Sequence, residues 1–140
     1  MKIYTSSWFT RLPPEIQKIG ISRGVPRGYR AGYRVMRELA PGSWFNSVTP
    51  AEYHRRFMAQ LGALDARAVL GKIHELGAGR DVALLCYEAP HDPKAWCHRG
   101  QVAAWLHDNL PAIDVLEFGL ETAGFGWQHP KLLPQFQRPA

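Results

Sequence analysis

An α/β fold with a mostly parallel sheet is predicted by three features of this 140-residue sequence. Short β-rich segments alternate with helix-length amphipathic ones, the rhythm of strand–helix–strand crossovers. Residues 82–87, VALLCY, are apolar without interruption, as in a strand covered on both faces. Helix boundaries carry side-chain caps and glycine stops.

The elements follow in order. KIYTS at 2–6 is a first strand, rich in β-branched and aromatic side chains. TRLPPEIQ interrupts it, and KIGIS at 18–22 is a second. RGVPRGYRAGYR, with glycines at 24, 28 and 32, is a loop that APGSWFNSV prolongs. Connections of that length are functional or mobile. Thr49 caps a helix with Pro50 at its first position and Glu52 three residues after the cap, and Gly62 stops it. Asp65 caps a second, in which Ala66, Val69, Leu70, Ile73 and Leu76 recur at helical spacing before Gly77. Beyond the apolar strand, Asp92-Pro93 reads as the cap and first position of a third helix ending near Leu110-Pro111. IDVLEFG at 113–119 is the last strand. Residues 1–119 thus form one domain with a three-layer, Rossmann-like arrangement of sheet and flanking helices. Residues 120–140 are a Gly/Pro-rich tail that wraps loosely or makes an intermolecular contact.

The 46% apolar content suits a soluble globular chain. No apolar run approaches the ~20 residues that cross a bilayer, so no membrane partner is expected. The opening MKIYTSSWF lacks the pattern of a secretory leader. Two cysteines make no disulfide framework, which favours a reducing cytoplasm and leaves a single Cys86–Cys97 bridge open. The net charge is +5, and Arg23, Arg27, Arg30, Arg34 and Arg37 alone supply a surplus of that size in a stretch with no acidic residue.

Ligands of open parallel sheets sit beyond the carboxyl ends of the strands. The apolar strand delivers Cys86 and Glu88 to that edge, where the next helix also begins and its unpaired N–H groups favour an anion. A parallel second strand brings Arg23 to the same edge, with the Arg27 loop hanging over the crevice. On the third helix Arg99 falls among Trp96, Val102, Ala103, Leu106 and Leu110, on the apolar stripe. A guanidinium there needs a partner, either Glu88 or a bound phosphate or carboxylate. Cys97, near a helix start and beside His98 and Arg99, has a favoured thiolate. Cys86 is either a small core residue or part of the chemistry. A metal site is not expected: Cys97 and His98 are adjacent on a helix, and only Cys86 and His91 are left to complete a set.

With those residues in view, the chain resembles the domain-of-unknown-function family 488. The resemblance rests on IYTS, ISRGVPRG, ELAPG and PAEYHRRF, and above all on VALLCYEAP paired with CHRGQVAAWL, and it spans residues 1–119. It implies an α/β fold and an enzyme-like pocket with no agreed activity. It also implies functional positions at Ser6, Arg23, Cys86, Glu88, Cys97, His98 and Arg99. The chain departs from the family between its first two strands, where FTRLPPEIQ is too aperiodic for a crossover helix.

Two functions follow as expectations. One is an enzyme, or a degenerate one, for a small phosphate- or carboxylate-bearing molecule such as a nucleotide. Arg99, Arg23, Arg27, Ser6 and Cys86 surround the anion, Glu88 or His98 serves as acid or base, and Cys97 is the nucleophile. The other is a nucleic-acid module, with Arg30 and Arg34 neutralising backbone charge and Tyr29 and Tyr33 stacking on bases. Neither calls for a cofactor, and self-association stays open.

Overall fold

Five strands among the described residues, β1 (Ile3–Ser7), β2 (Gln17–Gly20), β3 (Arg34–Val35), β4 (Val82–Cys86) and β5 (Val115–Glu117), form one sheet. The computed structural model describes residues 1–88, 96–120, 129 and 131–137. All pairings are parallel, in the order β3-β2-β4-β1-β5. β4 is central and buried at every position, as its unbroken apolar run requires. Its register sets Leu85 opposite Ser6 of β1 and Gly20 of β2.

Three α-helices among the described residues pack with the sheet: α1 (Pro50–Gly62), α2 (Ala66–Gly77) and α3 (His98–Asn109). Thr49 Oγ1 accepts the Glu52 amide, and the Asp65 carboxylate accepts those of Arg67 and Ala68. The capping box is only half made, because the Glu52 carboxylate turns to Arg55 and Arg56 instead.

Strand side chains alternate between faces. Ile3, Ile19, Val82, Leu84 and Val115 share one core with all three helices. Tyr4, Ala83 and Leu85 point the other way, into a smaller cluster with Trp8, Leu12 and Ile16, against which Tyr29 and Tyr33 lie. The layers are therefore helices, sheet, and a cover of loops. The β1-to-β2 connection crosses on the loop face and β4-to-β5 on the helix face, as right-handed crossovers in opposite directions demand. At Gly20 the ring of Trp8 occupies the space a Cβ would need.

The structure departs from the sequence reading in three places. β3 and a 3-10 turn at Arg37–Leu39 lie within the expected loop. α3 starts at His98, and Trp96 and Cys97 before it are not helical. The expected cap, Asp92 with Pro93, lies outside the described residues, as does His91. The tail is not loose where it is described: His129, Lys131, Leu132 and Leu133 are buried, and the Cys97 amide donates to the Lys131 carbonyl at 2.9 Å. Gly100 permits this, since a Cβ there would meet the backbone of Lys131 and Leu132 at 2.7–2.8 Å. No helix among the described residues is long and apolar enough to cross a membrane.

Candidate functional site

β2 and β4 are neighbours whose onward connections leave in opposite directions, β2 toward β3 and β4 toward α3 and β5. A crevice opens between their carboxyl ends at such a switch point. A cavity of about 610 Å³ occupies it. Ser22, Arg23 and Gly24 follow β2 into one wall, and Cys86, Tyr87 and Glu88 end β4 in another. Trp96, Cys97 and His98 close the inner side at the start of α3. Pro41, Phe45 and Tyr53 complete the lining.

This brings together Arg23, Cys86, Glu88, Cys97 and His98 of the residues singled out from sequence. Arg23 is exposed, donates to the Pro41 carbonyl at 3.1 Å, and lies 5.7 Å from the centroid of the Phe45 ring. The Tyr53 ring packs edge-on against Trp96, at 4.8 Å between centroids. Burial, then the Glu88 charge, raises the Tyr53 hydroxyl above its ordinary pKa, so it stays a neutral hydrogen-bonding group.

At the inner end the structure joins Cys86 and Cys97 as a disulfide, with Cα atoms 7.2 Å apart. Cys97 caps α3 in an extended conformation (φ −152°, ψ 148°), and His98 is the first helical residue. The side chains of 97 and 98 therefore do not splay as neighbours within one helix do. His98 Nδ1 lies 3.6 Å from Cys97 Sγ. Its Nε2 meets the Ile21 carbonyl, which can only accept, so the proton sits on Nε2 and the Nδ1 lone pair faces the sulfur. Burial pushes His98 down to about 4; the Ile21 carbonyl acts upward and the Arg99 charge downward. His98 is therefore neutral near pH 7, with Nδ1 a hydrogen-bond acceptor, in contrast to the near-neutral acid/base expected from sequence.

Arg99 is where the structure corrects the expected pairing. Its partner is Glu117, not Glu88: Nε and Nη2 donate to the two carboxylate oxygens at 3.0 and 2.8 Å, with neither side chain exposed. Nη1 donates to Cys86 Sγ at 2.9 Å and to the Glu88 carbonyl at 2.8 Å. Arg99 holds the cavity's inner wall in place without lining it. Thr5 and His129 also bond the Glu117 carboxylate. Burial alone would raise Glu117, but the bonds from His129 and Arg99 bring it down to about 2. The Lys131 amide donates to His129 Nδ1, so His129 presents its Nε2 proton to this group as a neutral ring.

The other expected residues stand elsewhere. Ser6 is buried on the loop face of the sheet, and its hydroxyl is the one buried side-chain oxygen or nitrogen without a partner among the described residues. Arg27, Arg30 and Arg34 are exposed outside the cavity. Tyr29 and Tyr33 pack edge-to-face on Trp8 and on each other. Their rings are committed to the fold. Sequence reasoning missed Phe45, Tyr53 and Trp96 as walls and Glu117 as anchor. The one legible signal for Glu117 was a carboxylate inside the apolar strand IDVLEFG.

A family model described as DUF488-N3a, the active DUF488-N3 subclade, matches residues 3–110. Comparison with curated proteins and with solved structures returns no match.

Proposed function

The chain belongs to the DUF488 family, and from the geometry of its cleft we propose that it binds a small, ring-bearing anion of nucleotide type and acts on it. The observation that carries this reading is the sharing of one cavity by an exposed arginine, several aromatic rings and an inner end of two cysteines and a histidine. Arg23 supplies a planar fork suited to phosphate or carboxylate. Phe45, Tyr53 and Trp96 supply apolar surface for a flat ring. Glu88 is the acid or base, and Cys86, Cys97 and His98 form the reactive end. The description of the matched subclade as active accords with a working site.

Thermal unfolding in the presence of nucleoside monophosphates, nucleosides and inorganic phosphate tests the reading. A ligand at a hundred times its Kd stabilises by about 2.7 kcal/mol. Nucleoside monophosphates should raise the midpoint, nucleosides and inorganic phosphate less. A flat response across the panel contradicts the proposal.

A further inference from the structure

We propose that Cys86, Cys97 and His98, with both thiols reduced, form a zinc site at the inner end of the cleft. Their Sγ, Sγ and ring-nitrogen donors lie within 4.8 Å of one another, and all three residues are buried. Two thiolates and an imidazole are a soft donor set that selects zinc over magnesium or calcium. Together with zinc they make a site of zero net charge.

Each donor is already aimed. The objection to chelation by residues 97 and 98 assumed that both lay within a helix. Cys97 is instead extended and His98 begins the helix, so both side chains reach the same point as Cys86. His98 donates its Nε2 proton to the Ile21 carbonyl, which fixes the tautomer and leaves Nδ1 to bind. Metal-binding histidines are held by outer partners of this kind. Arg99 Nη1 donates to Cys86 Sγ, and Glu117 holds that guanidinium in turn. The sulfur ligand therefore also has an outer partner.

The backbone spacing fits an ion between the sulfurs. The Cα atoms of Cys86 and Cys97 are 7.2 Å apart, beyond the ~4.4–6.8 Å usual for a disulfide. Two Zn–S bonds of ~2.3 Å at a tetrahedral angle set the sulfurs about 3.8 Å apart, a span this backbone supports. The fourth position opens on the cavity that all three residues line. Three protein donors with an open position are the pattern of a catalytic zinc.

The binding step moves no electrons. Zn²⁺ replaces the two thiol protons, which pass to solvent, and His98 binds through a lone pair while keeping its Nε2 proton. The disulfide form takes up no metal until a two-electron reductant opens it. With a phosphine, the S–S bond breaks, the two sulfurs take up protons, and the phosphine gains oxygen from water to become its oxide.

The test uses the full chain, reduced with a phosphine, freed of metal, and titrated with Co²⁺. One equivalent should develop the intense absorption of tetrahedral cobalt with thiolate ligands, and Zn²⁺ should abolish it. Cys97→Ser and His98→Gln should each weaken binding by more than the roughly 10–100-fold that losing an outer partner costs, and Arg30→Ala, exposed outside the cavity, should leave it unchanged. No cobalt–thiolate absorption in the reduced wild type overturns the site, as does unchanged affinity in Cys97→Ser. Where a variant does not fold, maleimide labelling of the wild type replaces it. Zinc should slow modification of both thiols, and equal rates with and without zinc overturn the site. The inference rests on the same cleft as the proposed function but fails separately. A metal-free cleft that still binds nucleotide removes the zinc alone. A cobalt site in a chain that binds no nucleotide removes the ligand alone.

Discussion

Arg99 and Glu117 form a two-point ion pair with no exposed side-chain surface, and the free arm of the guanidinium reaches Cys86. The pair ties α3 to β5 beneath the inner wall of the cleft. Its energetics follow from burial. Removing one partner strands the other charge away from water, at a cost of about 3–5 kcal/mol. Glu117→Gln and Arg99→Met should each lower the urea midpoint accordingly. Arg99→Met with Glu117→Leu should recover much of the loss. If each single variant unfolds at the wild-type midpoint, the pair contributes nothing.

The same carboxylate predicts an acid limb. In the folded chain the His129 and Arg99 bonds outweigh burial and hold the Glu117 carboxyl down to about 2, against an ordinary 4.5. A depressed folded pKa gives stability that is full above the unfolded value and is lost as pH falls from about 4.5 toward 2. The difference corresponds to about 3 kcal/mol. Urea midpoints measured across that window should fall for the wild type and change much less for Glu117→Gln. Parallel curves would place the acid sensitivity elsewhere.

Gly100 is the seat of the tail. Gly100→Ala sets a methyl group against the backbone of Lys131 and Leu132, where overpacking costs about 1–3 kcal/mol. Limited proteolysis should then release the C-terminal segment faster than in the wild type, and loss of the Cys97–Lys131 bond should accompany it. Equal cleavage rates would mean that the tail docks without needing that glycine.

In the proposed function, Trp96 carries the ring and Arg23 the anion. An aromatic platform contributes about 1–3 kcal/mol per stacked base. Trp96→Ala should therefore weaken a nucleoside monophosphate roughly tenfold or more while leaving inorganic phosphate unaffected, as measured by calorimetry. Equal losses for both ligands would show that Trp96 shapes the cleft rather than holding a ring.

Sequence carried the parts of the fold that local chemistry writes. VALLCY has one environment open to it, a strand covered on both sides, and it is the central strand. Thr49 and Asp65 announce α1 and α2 because their side chains accept the first free amides. The two residues of β3 are too few to show a period. The start of α3 is not legible, because Asp92-Pro93 has the form of a cap, whereas the residue that precedes the helix, Cys97, makes no side-chain hydrogen bond. α3 is also buried at His98, Arg99, Gly100 and Gln101, so its polar residues gave no solvent face to read. The cleft itself was half legible. Cys86, Glu88 and Arg23 follow from strand ends in a parallel sheet. The partner of Arg99 does not, because Glu117 reaches it only through the pairing of β5 with β1. Strand order is a long-range property, and no local pattern encodes it.

The central claim is that the opening between β2 and β4 takes an anion through Arg23. Calorimetric titration of a nucleoside monophosphate into the wild type and into Arg23→Ala tests it most directly. The account predicts saturable binding to the wild type and a loss of roughly tenfold or more in the variant, as expected for a charge-assisted hydrogen bond of about 1.5–3 kcal/mol. Equal affinity in the two proteins would contradict it.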